Sequence, residues 1–263
     1  MLYELSEGIF LKVNSELEND ISNFLVERRT PLEIVGSKEL IECIFTQPDS
    51  VDVIYKERHF KCQCKNWIAQ LFQILPSVYI DTYPTFLFLH GSCFCYNNKI
   101  VFLLGKSRSG KSTALYSILC NNNDVRYISD DIIAIDLIEK CLLPLSNKPI
   151  QLREDVVSTE DYILVDDAWN MKKVAYYSPQ EKETKRLLLK DHQIVYCFIK
   201  YHEGSKIQVD SMNNYDFLNS LFQCCFSISK VTISMLASII SQNTKAISVV
   251  YDGNIKELLE VIL

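Results

Sequence analysis

Between residues 105 and 113 the chain reads Gly105-Lys106-Ser107-Arg108-Ser109-Gly110-Lys111-Ser112-Thr113, a spacing suited to holding a nucleotide by its phosphates. Two glycines five apart let the backbone turn tightly enough for successive N–H groups to face phosphate oxygens. A helix starting behind them adds its positive end. Lys111 supplies a point charge for the outer phosphates, and the Ser112 hydroxyl can ligate a divalent cation. The context fits. The apolar run at 100–104 reads as a buried strand, and Ala114, Leu115, Ile118 and Leu119 recur at helical spacing after the loop.

A second group of chemical interest follows at Val125-Arg-Tyr-Ile-Ser129-Asp130-Asp131-Ile-Ile, where two adjacent carboxylates stand between apolar runs. Phosphoryl transfer needs a metal, an oriented acceptor and a group to take the acceptor's proton. Adjacent residues on extended chain point to opposite faces, so the pair suits two jobs: one carboxylate for Mg²⁺, the other for the acceptor hydroxyl. Asp136 reads as a plain strand or turn residue. His90 follows the apolar run at 86–89 and precedes Gly91; a lone His in that place reads as structural unless something else points to the site.

The elements that position these residues read as an α/β chain. Up to Pro84 there are short β-like runs at 9–13, 32–35 and 51–55. Trp67, Ile68, Leu71, Phe72 and Leu75 then line one face of a helix expected to end before Pro76. From Thr85 strands alternate with helices, predicting a mixed, covered sheet with flanking helices. The runs at 194–200 and 206–209 read as neighbouring strands joined by the turn His202-Glu-Gly-Ser205. Helices are expected over 215–226 and 228–242, a strand over 246–251 and a short helix from Asn254. The charged stretch 180–186 reads as a solvated loop, with substrate contact as its alternative. Two domains are expected: a β-rich lobe or sheet extension over 1–84 and a catalytic domain over 85–263.

A length of 263 residues is ample for such a core. The formal net charge of −6 disfavours nucleic acid or an anionic membrane as partner. The ten cysteines lack C-x₂-C spacing; Cys62/Cys64 and Cys93/Cys95 alternate as small core hydrophobes on one strand face would. His59, His90, His192 and His202 are scattered without ligand spacing. No basic leader or membrane-length apolar run is visible, so a soluble, cytoplasmic protein is expected.

Taken in order, Leu89-His90-Gly91, the loop from Gly105 to Ser112, and Ser129-Asp130-Asp131 resemble the HPr kinase/phosphorylase family and its HPr-kinase-like relatives. Pro149-Ile-Gln-Leu-Arg153 and Ala175-Tyr-Tyr-Ser-Pro179 look like weaker segments of the divergent members. The resemblance implies a fold related to phosphoenolpyruvate carboxykinase and ATP-dependent phosphorylation of a Ser or Thr hydroxyl in a peptide or protein, including peptide tailoring. It also implies ATP and Mg²⁺ as cofactors, and homo-oligomerisation as a family habit. It places Gly105 to Thr113 on the nucleotide, Ser112 and Asp131 on the metal, Asp130 or Asp131 as base, and His90 and Lys111 beside the reacting groups. The chain departs from the family in lacking a Glu-x-Arg-Gly run, for which Glu154 is the nearest substitute, and in carrying Arg108 at a small-residue position. Both departures point away from HPr as substrate. A kinase of a small-molecule hydroxyl and a nucleotide-binding regulator with little catalysis are the competing readings.

Overall fold

A computed structural model describes residues 2–17, 39–47, 49–63, 65, 67–145, 148–157, 162–166, 173–226, 233–240 and 244–263. The run at 32–35 and Cys64 lie outside them. The protein is a mixed α/β chain with several sheets and few helices, and it divides into two compact units: Met1–Pro84 with Asn147–Ser178, and Thr85–Ser146 with Pro179–Leu263.

In the first unit, β1 (Leu2–Ser6), β2 (Ile9–Val13), β3 (Glu39–Gln47), β4 (Ser50–Tyr55) and β5 (Arg58–Gln63) form one sheet in that order, antiparallel except for the β2/β3 pair. Helix α1 (Trp67–Thr82) packs on β4 and β5. It runs through Pro76 instead of stopping before it. Proline removes one backbone donor, but the following turn buries Val78 and Tyr79, and that burial holds the helix together past the lost bond.

The second unit begins with β6 (Phe86–Leu89), β7 (Gly91–Tyr96), β8 (Lys99–Leu104), α2 (Lys111–Asn121), β9 (Val125–Ser129), β10 (Ile133–Asp136) and β11 (Cys141–Leu143). The chain then returns to the first unit for an antiparallel sheet of β12 (Ile150–Arg153), β13 (Tyr162–Asp166) and β14 (Lys173–Tyr177), with β14 central. There the Phe72 ring of α1 meets Tyr176 at 5.3 Å. The 85–263 stretch is thus interrupted: residues 147–178 pack with the N-terminal unit because their strands pair with each other and rest on α1.

The second unit closes with β15 (Leu187–Leu188), β16 (Gln193–Tyr201), β17 (Gln208–Ser211), α3 (Asn214–Gln223), α4 (Ile233–Ser238), β18 (Thr244–Tyr251) and α5 (Ile255–Ile262). Its main sheet has the order β17-β18-β16-β8-β7-β9. The expected β16/β17 neighbours are not neighbours. After α3 and α4 the chain returns as β18, parallel to β16, and occupies the place between them. A strand of eight residues with inward Ile247, Val249 and Tyr251 has more to bury there than the wholly exposed β17. α5 starts at Asn254, whose side chain accepts the Glu257 N–H.

A second, antiparallel sheet, β15-β11-β10-β6, covers the face of the main sheet that carries Cys93, Cys95, Ile100, Phe102 and Leu104. Both cysteines are fully buried, packing as small hydrophobes. At the centre Phe102 stacks on Tyr196 with ring centroids 4.8 Å apart. Phe102→Ala is expected to cost about 3–5 kcal/mol of unfolding free energy, measured by denaturant titration, because Phe102 is fully buried in a core shared with Tyr196 and Phe217 and its removal leaves a void there.

The 180–186 stretch is largely exposed, as a solvated loop would be, but it is anchored at Glu183. The Tyr127 N–H donates to the Glu181 carbonyl and the Glu183 N–H to the Tyr127 carbonyl, Glu183 is buried against Arg126 at 3.1 Å, and Arg186 reaches Asp136 at 3.3 Å. Asp136 also accepts from the N–H groups of Ile138 and Glu139, closing the β10–β11 turn.

Candidate nucleotide and phosphoryl-transfer site

Strand direction gathers the candidate residues on one edge of the main sheet. β8 is parallel to β16, and β16 to β18, while β7 runs antiparallel to both β8 and β9. The C-terminal ends of β8, β9, β16 and β18 and the start of β7 therefore share an edge, the usual ligand edge of such sheets. The loop from Gly105, the Asp130-Asp131 pair and His90 all emerge there.

At the same edge the chain changes sheets twice. It passes from β6 to β7 through His90-Gly91, and from β9 to β10 through Asp130-Asp131. Because Leu89 pairs with Ile133, the two corners lie side by side. Gly91 is required at its corner: a Cβ there would stand 2.6 Å from the Leu104 side chain and 2.9 Å from the Leu103 carbonyl. Asp131 turns the other corner with φ 71°, in the left-handed region that Asp tolerates better than most residues.

The loop itself folds as its glycines demand. Gly105 has φ 143° and Gly110 φ 91°. A Cβ on Gly105 would sit 2.6 Å from the Ile199 carbonyl, and one on Gly110 would fall on the Tyr251 hydroxyl. That hydroxyl donates to the Gly110 carbonyl at 3.1 Å, and burial pushes the Tyr251 phenol far above its ordinary range, so it stays a donor. The Tyr201 N–H donates to the Ser109 carbonyl at 3.1 Å. Gly110→Ala is expected to abolish nucleotide binding measured by calorimetry and to lower unfolding free energy as well, because the left-handed strain falls on the loop and the added Cβ clashes with Tyr251 at the end of a core strand.

Lys111 is buried. Its ammonium donates to the carbonyls of Gly105 and Lys106, each at 3.0 Å. Burial lowers its pKa; Asp130 pulls in the opposite direction. Cys224 is a further neighbour of Lys111. Burial raises its thiol pKa, while the Gly105 N–H and Lys111 favour the thiolate. Arg108 holds φ 65° at the loop's turn and is exposed, so its side chain does not fill the loop's interior. Lys106, Ser107 and Thr113 are exposed too, and Ser109 is buried.

The two carboxylates part company. Asp130 is buried and its Oδ1 accepts from Ser92 Oγ at 2.6 Å and from Ser112 Oγ at 3.0 Å. Asp131 faces His90: the ring Nδ1 lies 3.2 Å from Asp131 Oδ1 and 3.1 Å from its backbone carbonyl. Both partners are acceptors, which assigns the ring proton to Nδ1. His90 is further fixed by its backbone N–H on the Cys224 carbonyl and by its edge-on contact with Phe226 at 5.9 Å.

The carboxylate beside Ser112 is therefore Asp130, not the Asp131 expected from sequence. The reason is the left-handed corner: β9 carries Asp130 to the α2 side, and the turn then throws Asp131 outward. Among the described residues no group of three or more His, Cys, Asp or Glu side chains could hold a metal alone. Ser112 and Asp130 instead offer two hard oxygens 3.0 Å apart, a set that fits Mg²⁺ shared with phosphate oxygens.

Glu154 belongs to the first unit, in a short 3₁₀ turn, and is exposed. Sequence reading passed over Ser92, Tyr251, Tyr201 and Cys224. The alternation Ser92/Cys93/Phe94/Cys95 marks Ser92 as the odd polar member of a buried strand, and both tyrosines end apolar strands. Cys224 has no local signal. No helix among the described residues is long and apolar enough to cross a membrane. Neither a scan of protein-family models nor a search of curated proteins finds a match to the chain.

Proposed function

We propose that the chain is an HPr-kinase-like, ATP-dependent kinase that phosphorylates a Ser or Thr hydroxyl of a peptide or protein. One observation carries this reading: two adjacent carboxylates are divided, Asp130 onto the loop's Ser112 and Asp131 onto His90. The second carboxylate, held on His90 beside the loop, supports a site that takes a proton from an acceptor as well as holding nucleotide.

ATP would supply the γ-phosphoryl group, with charge neutralisation as the chemistry that a bound Mg²⁺ would contribute. Ser112 Oγ and Asp130 would hold the metal, with Ser92 keeping Asp130 oriented. The backbone amides of the loop and Lys111 would take the phosphate oxygens and stabilise charge that grows during transfer. Asp131, held by His90, accepts the proton of the attacking hydroxyl as its oxygen bonds phosphorus and the bond to the departing ADP oxygen breaks.

The test is to incubate the full chain with ATP, Mg²⁺ and a library of Ser- and Thr-containing peptides and to search the peptides for phosphate by mass spectrometry. Phosphopeptide that disappears with EDTA supports the reading. ATP binding without any phosphorylated peptide or small hydroxyl compound would instead mark a nucleotide-binding regulator.

A further inference from the structure

An exposed aromatic ring stands beside the phosphate loop on the side away from the carboxylates. Asp130, Asp131 and His90 lie beyond β7 and β9 on one flank of β8, while β16 and β18 lie on the other. If the γ-phosphoryl group faces the carboxylates, the remainder of the nucleotide must extend over the ends of β16 and β18. Tyr201 and Tyr251 are the last residues of those two strands and pair in register.

Tyr201 is tied to the loop at its backbone end. Its N–H donates to the Ser109 carbonyl, and its Cβ would be 3.4 Å from a Cβ built on Gly110. Its ring meets Tyr251 edge-on at 5.9 Å and 77°, and Tyr251 is anchored by its hydroxyl on Gly110. On its other side the ring passes Gly253, where a Cβ would lie 3.5 Å from Tyr201 Cε2. The ring is thus held in orientation by backbone on one side and Tyr251 on another, and Tyr201 is 45% exposed at the solvent-facing end of its strand. A fixed, solvent-facing aromatic ring is a stacking surface for a flat heterocycle, and stacking tolerates every nucleobase because each has a π-face.

Resting on the kinase reading of the same loop, we infer that Tyr201 is the platform on which the nucleobase stacks, with Tyr251 as its rigid support. Stacking binds base without reading its edge. ATP and GTP should accordingly bind with similar affinity, and inorganic tripolyphosphate should not sense the ring at all.

The experiment compares dissociation constants for ATP, GTP and tripolyphosphate, with Mg²⁺, in the wild-type chain, Tyr201→Ala and Tyr201→Trp. The expected result is about 10-fold or greater weakening of both nucleotides in Tyr201→Ala, unchanged tripolyphosphate binding, and wild-type nucleotide affinity in Tyr201→Trp. Unchanged tripolyphosphate binding also shows the loop is still folded. Nucleotide affinity untouched by Tyr201→Ala overturns the platform and leaves the kinase reading standing, as does an equal loss for tripolyphosphate, which would make the ring a prop for the loop. A wild-type chain that binds neither nucleotide nor tripolyphosphate overturns both.

Discussion

Replacing Lys111 with Met is expected to lower phosphoryl transfer by about 10²- to 10³-fold, the usual cost of removing one donor aimed at developing charge. The fold should survive. Lys111 is buried among the carbonyls of Gly105 and Lys106 and close to Asp130, a setting in which burial outweighs the carboxylate and lowers its pKa. The folded chain then holds that proton less tightly than the unfolded chain. Stability should rise with pH through the interval below the ordinary lysine value of 10.5, because the unfolded state binds more protons there. Lys111→Met removes both the desolvated charge and this pH dependence, so its thermal midpoint at neutral pH should equal or exceed that of the wild type. Lys111→Arg should not restore transfer, since a planar guanidinium cannot replace a point charge enclosed by the loop.

The second large effect separates the carboxylates. Asp131→Asn should reduce the rate of transfer by about 10²- to 10⁴-fold, as expected for loss of a general base, while leaving Mg²⁺-dependent ATP binding close to wild type. Asn is the conservative choice because it also tolerates the left-handed φ of 71°. Asp130→Asn should behave differently. Its Oδ1 takes hydrogen bonds from Ser92 and Ser112, so the variant should need much more Mg²⁺ for ATP binding and recover part of its activity as Mg²⁺ is raised. Titrating Mg²⁺ against the transfer rate of both variants distinguishes the roles. Equal metal dependence in the two would contradict the division.

The loop and its strand and helix were legible because their signals are local: apolar period, glycine spacing and a Lys-Ser pair are adjacent in sequence. His90 and Asp130-Asp131 could be nominated by type and position, but not assigned to partners. Which carboxylate meets Ser112 depends on a left-handed corner at Asp131, and backbone sign at a non-glycine residue leaves no trace in residue pattern. β7 was visible only in the alternation of Cys93 and Cys95, because Gly91 and Ser92 dilute its apolar character, although it lies between the loop strand and the Asp strand. Pro76 was read as a stop by its missing donor, and tertiary burial of Val78 and Tyr79 prevailed. The insertion of β18 beside β16, and the return of residues 147–178 to the first unit, are long-range pairings that the spacing of strands along the chain does not encode.

The most direct measurement is a single-turnover assay with the chain in excess over γ-labelled ATP, with Mg²⁺ and a serine peptide library, run beside Lys111→Met. The label is expected to move from ATP to a peptide hydroxyl in the wild type and to stay in ATP in the variant. Label that remains in ATP in both, or appears only as free phosphate, would contradict hydroxyl phosphorylation at this site.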